Sequence, residues 1–141
     1  MPEWILWSLL AAAFAALTAI FAKIGIAGVN SDFATLLRTV VILAVLAAMV
    51  PLMGKWQPLS SVPARSWLFI VLSGLATGAS WLFYFRALKV GEASKVAPLD
   101  KLSVVLVAIF AAVFLGERLA TVNWLGVALI AAGTVLVAWR P

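Results

Sequence analysis

Residues 67–88 read WLFIVLSGLATGASWLFYFRAL, and the fold turns on how this stretch is read. It holds a single charge, Arg86, near its far end. Wound as an α-helix at 1.5 Å per residue it is about 33 Å long, which matches a bilayer hydrocarbon core of about 30 Å. It does not read as β-structure, because its apolar and polar residues do not alternate and a membrane barrel needs at least about eight strands. Similar apolar runs occur at about Trp4–Ala27, Phe33–Met53, Val96–Leu115 and Val122–Trp139. Short polar turns separate most of them: Val29–Asp32, Lys89–Ser94 and Gly116–Arg118. A longer connection runs from Gly54 to Ser66, where Pro58 and Pro63 prevent a helix from continuing. The chain thus predicts an all-α integral membrane protein of five transmembrane helices, with residues 1–141 forming one multi-pass domain.

Composition agrees. Of 141 residues 66% are hydrophobic and 11% charged, with a mean hydropathy of +1.19; soluble domains run at about 45–50% and about 25%. A domain near this size still exposes about a third of its unfolded surface, so such an excess cannot be hidden in a soluble core. Membrane lipid is therefore the expected solvent. With no Cys and no His there is no disulfide, thiol nucleophile, zinc finger or imidazole base. No cofactor, no metal and no enzyme activity are expected. The net charge of +5 comes from scattered basic residues rather than a cluster, so no nucleic-acid partner is expected either.

The first span has no Lys or Arg before it and is too long for the apolar core of a signal peptide, so it is expected to be retained. Its small residues Ala11, Ala15, Thr18, Ala22 and Gly25 recur at helical spacing, as a packing stripe does. An odd number of spans puts the two termini on opposite sides. Lys55, Arg65 and Arg118 then fall on the amino-terminal side, and Lys89, Lys95 and Arg140 on the other. The loop charges balance. Lys23, Arg38, Arg86 and Lys101 lie within span ends and would tip the balance only if they are topology signals; both orientations stay open.

Those span-end residues are the first candidate site. Lys23, Arg38, Arg86, Asp100 and Lys101 all fall within a turn or two of one membrane face. A charge at mid-membrane costs about 2.5–3.5 kcal/mol on insertion scales, so they must snorkel, pair or line water. Lys and Arg can reach headgroups; Asp100 is too short to do so and is expected to pair with Arg38, Arg86 or Lys23, or to sit at a wet vestibule. Such a pair can fix helix register, or exchange partners with a substrate or proton. The collar is net positive, which suits an anionic or zwitterionic solute.

The third span carries a second candidate. Ser73, Thr77, Ser80 and Tyr84 share one helical face, flanked by Trp81 and by Gly74 and Gly78. Such a hydroxyl stripe either walls a polar solute path or bonds to a neighbouring helix. Pro98 is harmless in a first helical turn and kinks the helix if it lies deeper; a kink would gather Asp100 and free carbonyls at one place. Glu117 and Arg118 form a turn that either pairs locally or marks a gate. Gly126 and Gly133 on the last span point to a dimer seam more than to internal packing.

These features also carry a resemblance. The run Ala97-Pro98-Leu99-Asp100-Lys101-Leu102-Ser103, then Phe114-Leu115-Gly116-Glu117-Arg118-Leu119, then Trp124 through Gly133 resembles the EamA-like domain of the drug/metabolite transporter superfamily. Arg38 and Trp81…Tyr84-Phe85-Arg86-Ala87-Leu88 fit the same pattern. Most members join two such domains, inverted, into ten spans. The resemblance thus implies one EamA-like half-repeat that needs a partner, an oppositely oriented copy. The last span is also similar to that of small multidrug resistance proteins, but the first span has no carboxylate in its middle, where those proteins carry a Glu.

Together these readings predict an inner-membrane transporter of a small polar metabolite, of the amino-acid or organic-acid class, working as an antiparallel homodimer. Lys23, Arg38 and Arg86 would orient carboxylates, Asp100 would be their counter-ion or proton site, and the third-span face would wall the path. The alternatives are an exporter of toxic organic cations and a non-transporting scaffold or assembly subunit.

Overall fold

The computed structural model describes residues 2–139; Arg140, counted above among the loop cations, lies outside them. The described residues are helical, without strands, in the order α1 (Glu3–Gly25), α2 (Ser31–Leu52), α3 (Ala64–Val90), α4 (Ala93–Asp100), α5 (Leu102–Phe114) and α6 (Thr121–Ala138). Five stretches are long and apolar enough to cross a membrane, the fourth being α4 with α5.

Local chemistry sets the ends. Asn30 caps α2: its side-chain oxygen accepts from the backbone amides of Asp32 at 2.9 Å and Phe33 at 3.1 Å, using two donors that a helix start leaves unpaired. At the other end Gly54 takes φ +66°, and the amides of Lys55 and Gly54 donate to the carbonyls of Val50 and Pro51 at 3.1 and 2.9 Å. That closure needs a left-handed residue, which glycine adopts without strain. A short 3-10 turn, Leu59–Ser61, precedes α3, which starts directly after Pro63.

The fourth span is not the single helix expected over 96–115. Helix starts at Ala93, three residues sooner, and this places Pro98 past the first turn of α4. Proline has no N–H to continue the ladder. The amide of Lys101 instead donates to the Pro98 carbonyl at 2.9 Å, and that of Val104 to the Lys101 carbonyl at 3.0 Å. Two three-residue closures in succession break the span at Lys101, next to Asp100. Where α5 ends, Gly116 at φ +67° lets the amides of Leu115 and Glu117 both reach the Ala111 carbonyl.

The chain forms two compact units, Phe21–Lys89, and Met1–Ile20 with Val90–Pro141. In the first, the buried residues are Ile26, Thr35, Phe85 and Leu88, all near the turn between α1 and α2 or the end of α3. In the second, α4 and α5 both pack along α6, where Thr134 is buried and donates to the Ala131 carbonyl at 2.9 Å. Elsewhere Ala19 is buried, and most large apolar side chains are exposed. No span has more than 11% of its hydrophobic window buried, so most of this surface must be covered by lipid or by another chain.

Candidate functional site

Within the unit Phe21–Lys89 the sequence turns back twice, so the end of α1, the start of α2 and the end of α3 meet. Four cations gather there, and three are occupied by groups of the chain itself. Lys89 Nζ donates to the carbonyls of Ile26, Ala27 and Val29, the last two at 3.1 and 3.0 Å. Those carbonyls follow the end of α1, where helix geometry leaves acceptors unsatisfied. Lys23 Nζ in turn donates to the Leu88 carbonyl at 2.6 Å. Neither lysine is simply reaching for headgroups. Each ties one helix end to the backbone of another, with Ile26 and Leu88 buried between them.

Arg86 holds Asp32 in a two-pronged pair, Nε to Oδ1 at 2.8 Å and Nη2 to Oδ2 at 2.7 Å. The pair links α3 to the first turn of α2 and is well exposed, 55% and 42%, so its worth lies in geometry more than in energy. In the other unit, Asp100 accepts from its chain neighbour Lys101 at 3.1 Å. Reading the sequence alone misses Asp32 because Val29–Asp32 reads there as a turn, whereas Asp32 lies in the first turn of α2. The available signal is distance from a helix end: Asp32 opens α2 and Arg86 lies four residues before the close of α3, on the same face.

Arg38 is different. Its guanidinium carbon lies 4.4 Å from the Trp81 ring centroid and 5.3 Å from that of Phe85. Trp81 and Phe85 are one helical turn apart on α3, and Phe85 is buried. Tyr84, half-buried, meets Phe85 edge-on at 6.4 Å. Along the same helix Ser73, Thr77 and Ser80 are all exposed, and Thr77 donates back to the Ser73 carbonyl at 2.8 Å. Gly74 and Gly78 have open space where a side chain would be.

In the second unit Asp100 and Lys101 stand at the α4–α5 break, and Lys95 pairs with Glu92 at 3.2 Å at the start of α4. Glu117 and Arg118 are exposed in the turn that Gly116 makes possible. Gly126 and Gly133 on α6 each face open space: a Cβ at either would meet nothing within 4 Å beyond its own helix.

A polytopic helical protein with a broken span and a charged, aromatic-lined helix end belongs to the class of membrane carriers. The EamA-like transporter family model matches residues 2–139, and the chain belongs to that family. It is similar, at 68% identity over 136 residues, to a Sinorhizobium sp. protein named "Uncharacterized transporter in cobO 3'region", with 96% of each chain covered. No solved structure matches. The chain is a multi-pass membrane protein of a transporter family.

Proposed function

We propose that the protein carries a small polar metabolite of the amino-acid or organic-acid class across the inner membrane, by alternating access as an antiparallel homodimer. The observation that carries this reading is the hydroxyl face of α3. Ser73, Thr77 and Ser80 stand exposed along a membrane-crossing helix; Thr77 donates within its own helix, but lipid offers Ser73 and Ser80 no partner. A second copy gives them one, and a path between two such faces gives a polar solute a wall of hydrogen-bonding groups. The equal loop charges support two orientations, since no side of the membrane is favoured by loop lysines and arginines.

The symmetry of α6 supports the antiparallel form. Gly126 lies five residues after Thr121 and Gly133 five before Ala138, so the two glycines are equidistant from the helix midpoint. Across a two-fold axis in the membrane plane, Gly126 of one copy meets Gly133 of the other.

The chain has no cysteine, so introduced thiols report without background. Gly126→Cys mixed with Gly133→Cys is expected to cross-link in membranes, with each variant alone linking poorly. Tags on the termini are expected to label on both faces of intact cells. Self-linking of each variant, with one labelled face, would overturn the antiparallel dimer. Vesicles of the purified protein that move no metabolite would overturn transport itself and favour a scaffold subunit.

A further inference from the structure

The cations at the charged end of the Phe21–Lys89 unit can be accounted for one by one. Lys89 and Lys23 are held by backbone carbonyls, and Arg86 is held by Asp32. Arg38 alone among these four makes no hydrogen bond or ion pair within the described residues. Stacking occupies the flat face of its guanidinium and leaves the N–H edge, with up to five donors, unspent.

Depth adds to this. Arg38 lies seven residues past the start of α2, about 10 Å along the helix. A side chain on α2 would ordinarily slope back toward its own N-terminus, and so toward the headgroups. The Arg38 guanidinium lies over Trp81 and Phe85, five residues and one residue before Arg86 on α3, while Arg38 itself stands six residues past Asp32, the partner of Arg86. A permanently charged group there, with its donors unbonded, calls for an anion that comes and goes.

We propose that Arg38, laid on Trp81 and Phe85, is the seat of the solute's carboxylate, so that the transported class bears a carboxylate and excludes organic cations. A planar carboxylate meets the guanidinium edge with two parallel N–H···O bonds, and the two rings fix the plane in which it can do so. This rests on the transport reading above and assigns its recognition residue. Arg86 with Asp32, and the two lysines, hold the helix ends that position it.

The test uses the full chain in phosphatidylcholine vesicles, with radiolabelled pyruvate, succinate, alanine and choline as probes. At least one of the three carboxylates is expected to move and choline is not. Arg38→Gln is expected to lower that flux at least about tenfold, and Arg38→Lys to raise KM about tenfold, since an ammonium keeps the charge without the fork. Trp81→Leu is expected to raise KM about threefold with the maximal rate kept. Size-exclusion profiles identify any variant that fails to fold. Choline transport, or carboxylate flux indifferent to both Arg38 variants, would overturn the seat while transport stands.

If wild type moves no probe, transport falls and the seat is judged by calorimetric titration with the same carboxylates. Heat lost in Arg38→Gln supports it, and heat unchanged overturns it. Phosphatidylglycerol retained by wild type but not by Arg38→Gln, and not displaced by any carboxylate probe, would assign Arg38 to lipid and overturn it as well.

Discussion

The two units of this chain solve the same problem in opposite ways. At the charged end of Phe21–Lys89, carbonyls of the α1–α2 turn are met by Lys89 of α3, the Leu88 carbonyl of α3 is met by Lys23 of α1, and Ile26, Thr35, Phe85 and Leu88 are buried. In the unit containing α4, α5 and α6, a proline opens the ladder, the break stays next to Asp100 and Lys101, and the glycines of α6 leave open space where a side chain would stand. One region is closed on itself. The other keeps its irregular backbone and its small residues in reserve. A carrier needs both, a fixed scaffold for its recognition group and a part free to meet a partner or change shape.

The comparison breaks first at Leu88, which is fully buried. Leu88→Ala leaves a cavity at the centre of the clasp and is expected to cost about 3 kcal/mol. Leu136→Ala on α6, where the leucine is 73% exposed, is expected to cost less than about 0.5 kcal/mol. Thermal unfolding in detergent, followed by loss of the monodisperse species, measures both. Equal effects would show that the clasp is no more closed than α6.

Next comes Lys89. Lys89→Met keeps much of the apolar stem and removes the ammonium that three carbonyls share. Bonds to a charged group contribute about 1.5–3 kcal/mol each, but part of this site is exposed, so a loss of about 2 kcal/mol is expected. Hydrogen exchange is expected to rise in residues 26–30 and to stay unchanged in α6. Uniform exchange across the chain would deny that Lys89 acts locally.

What is legible in the sequence divides along the same line. Hydropathy is a local sum over neighbouring residues, so all five spans are readable to within three residues or so at their ends; Pro98 alone leaves a harmless first turn and a break equally open, and the helix start at Ala93 decides for the break. Partner choice is not local. Asp32 and Arg86 are separated by 54 positions, and only the return of α3 to the start of α2 brings them together. Lys89 reads as a turn residue because its bonds go to carbonyls, which carry no side-chain signature. Arg38 is legible as a charge inside a span; that aromatic rings hold it, with no acid doing so, emerges only from the fold.

The exposed pair Asp32–Arg86 ranks below both. Asp32→Asn and Arg86→Gln are expected to lower thermal stability only slightly, because solvent screens an exposed pair. The exchange Asp32→Arg with Arg86→Asp is expected to restore most of what either single reversal loses, as a double-mutant cycle would show. A large loss in Asp32→Asn would mean that the pair holds the fold, and would move it from the rim of the comparison to its centre.

The smallest effect on the folded chain is expected at Gly126 and Gly133, and there the comparison is most informative. Both sit inside α6 with open space where a methyl group would stand, so Ala at either should not clash. Alanine also favours helix over glycine by about 0.8–1.0 kcal/mol. Within one chain, then, Gly126→Ala and Gly133→Ala should be neutral or slightly stabilising. Against a partner helix they should do the reverse, because a methyl group stops two backbones from approaching. A melting temperature unchanged or raised, with dimer cross-linking reduced, is the signature of a seam reserved for a second copy. Were cross-linking unchanged as well, the open glycines would have no role in assembly, and the contrast between an open α6 and a closed helix clasp would carry no meaning for association.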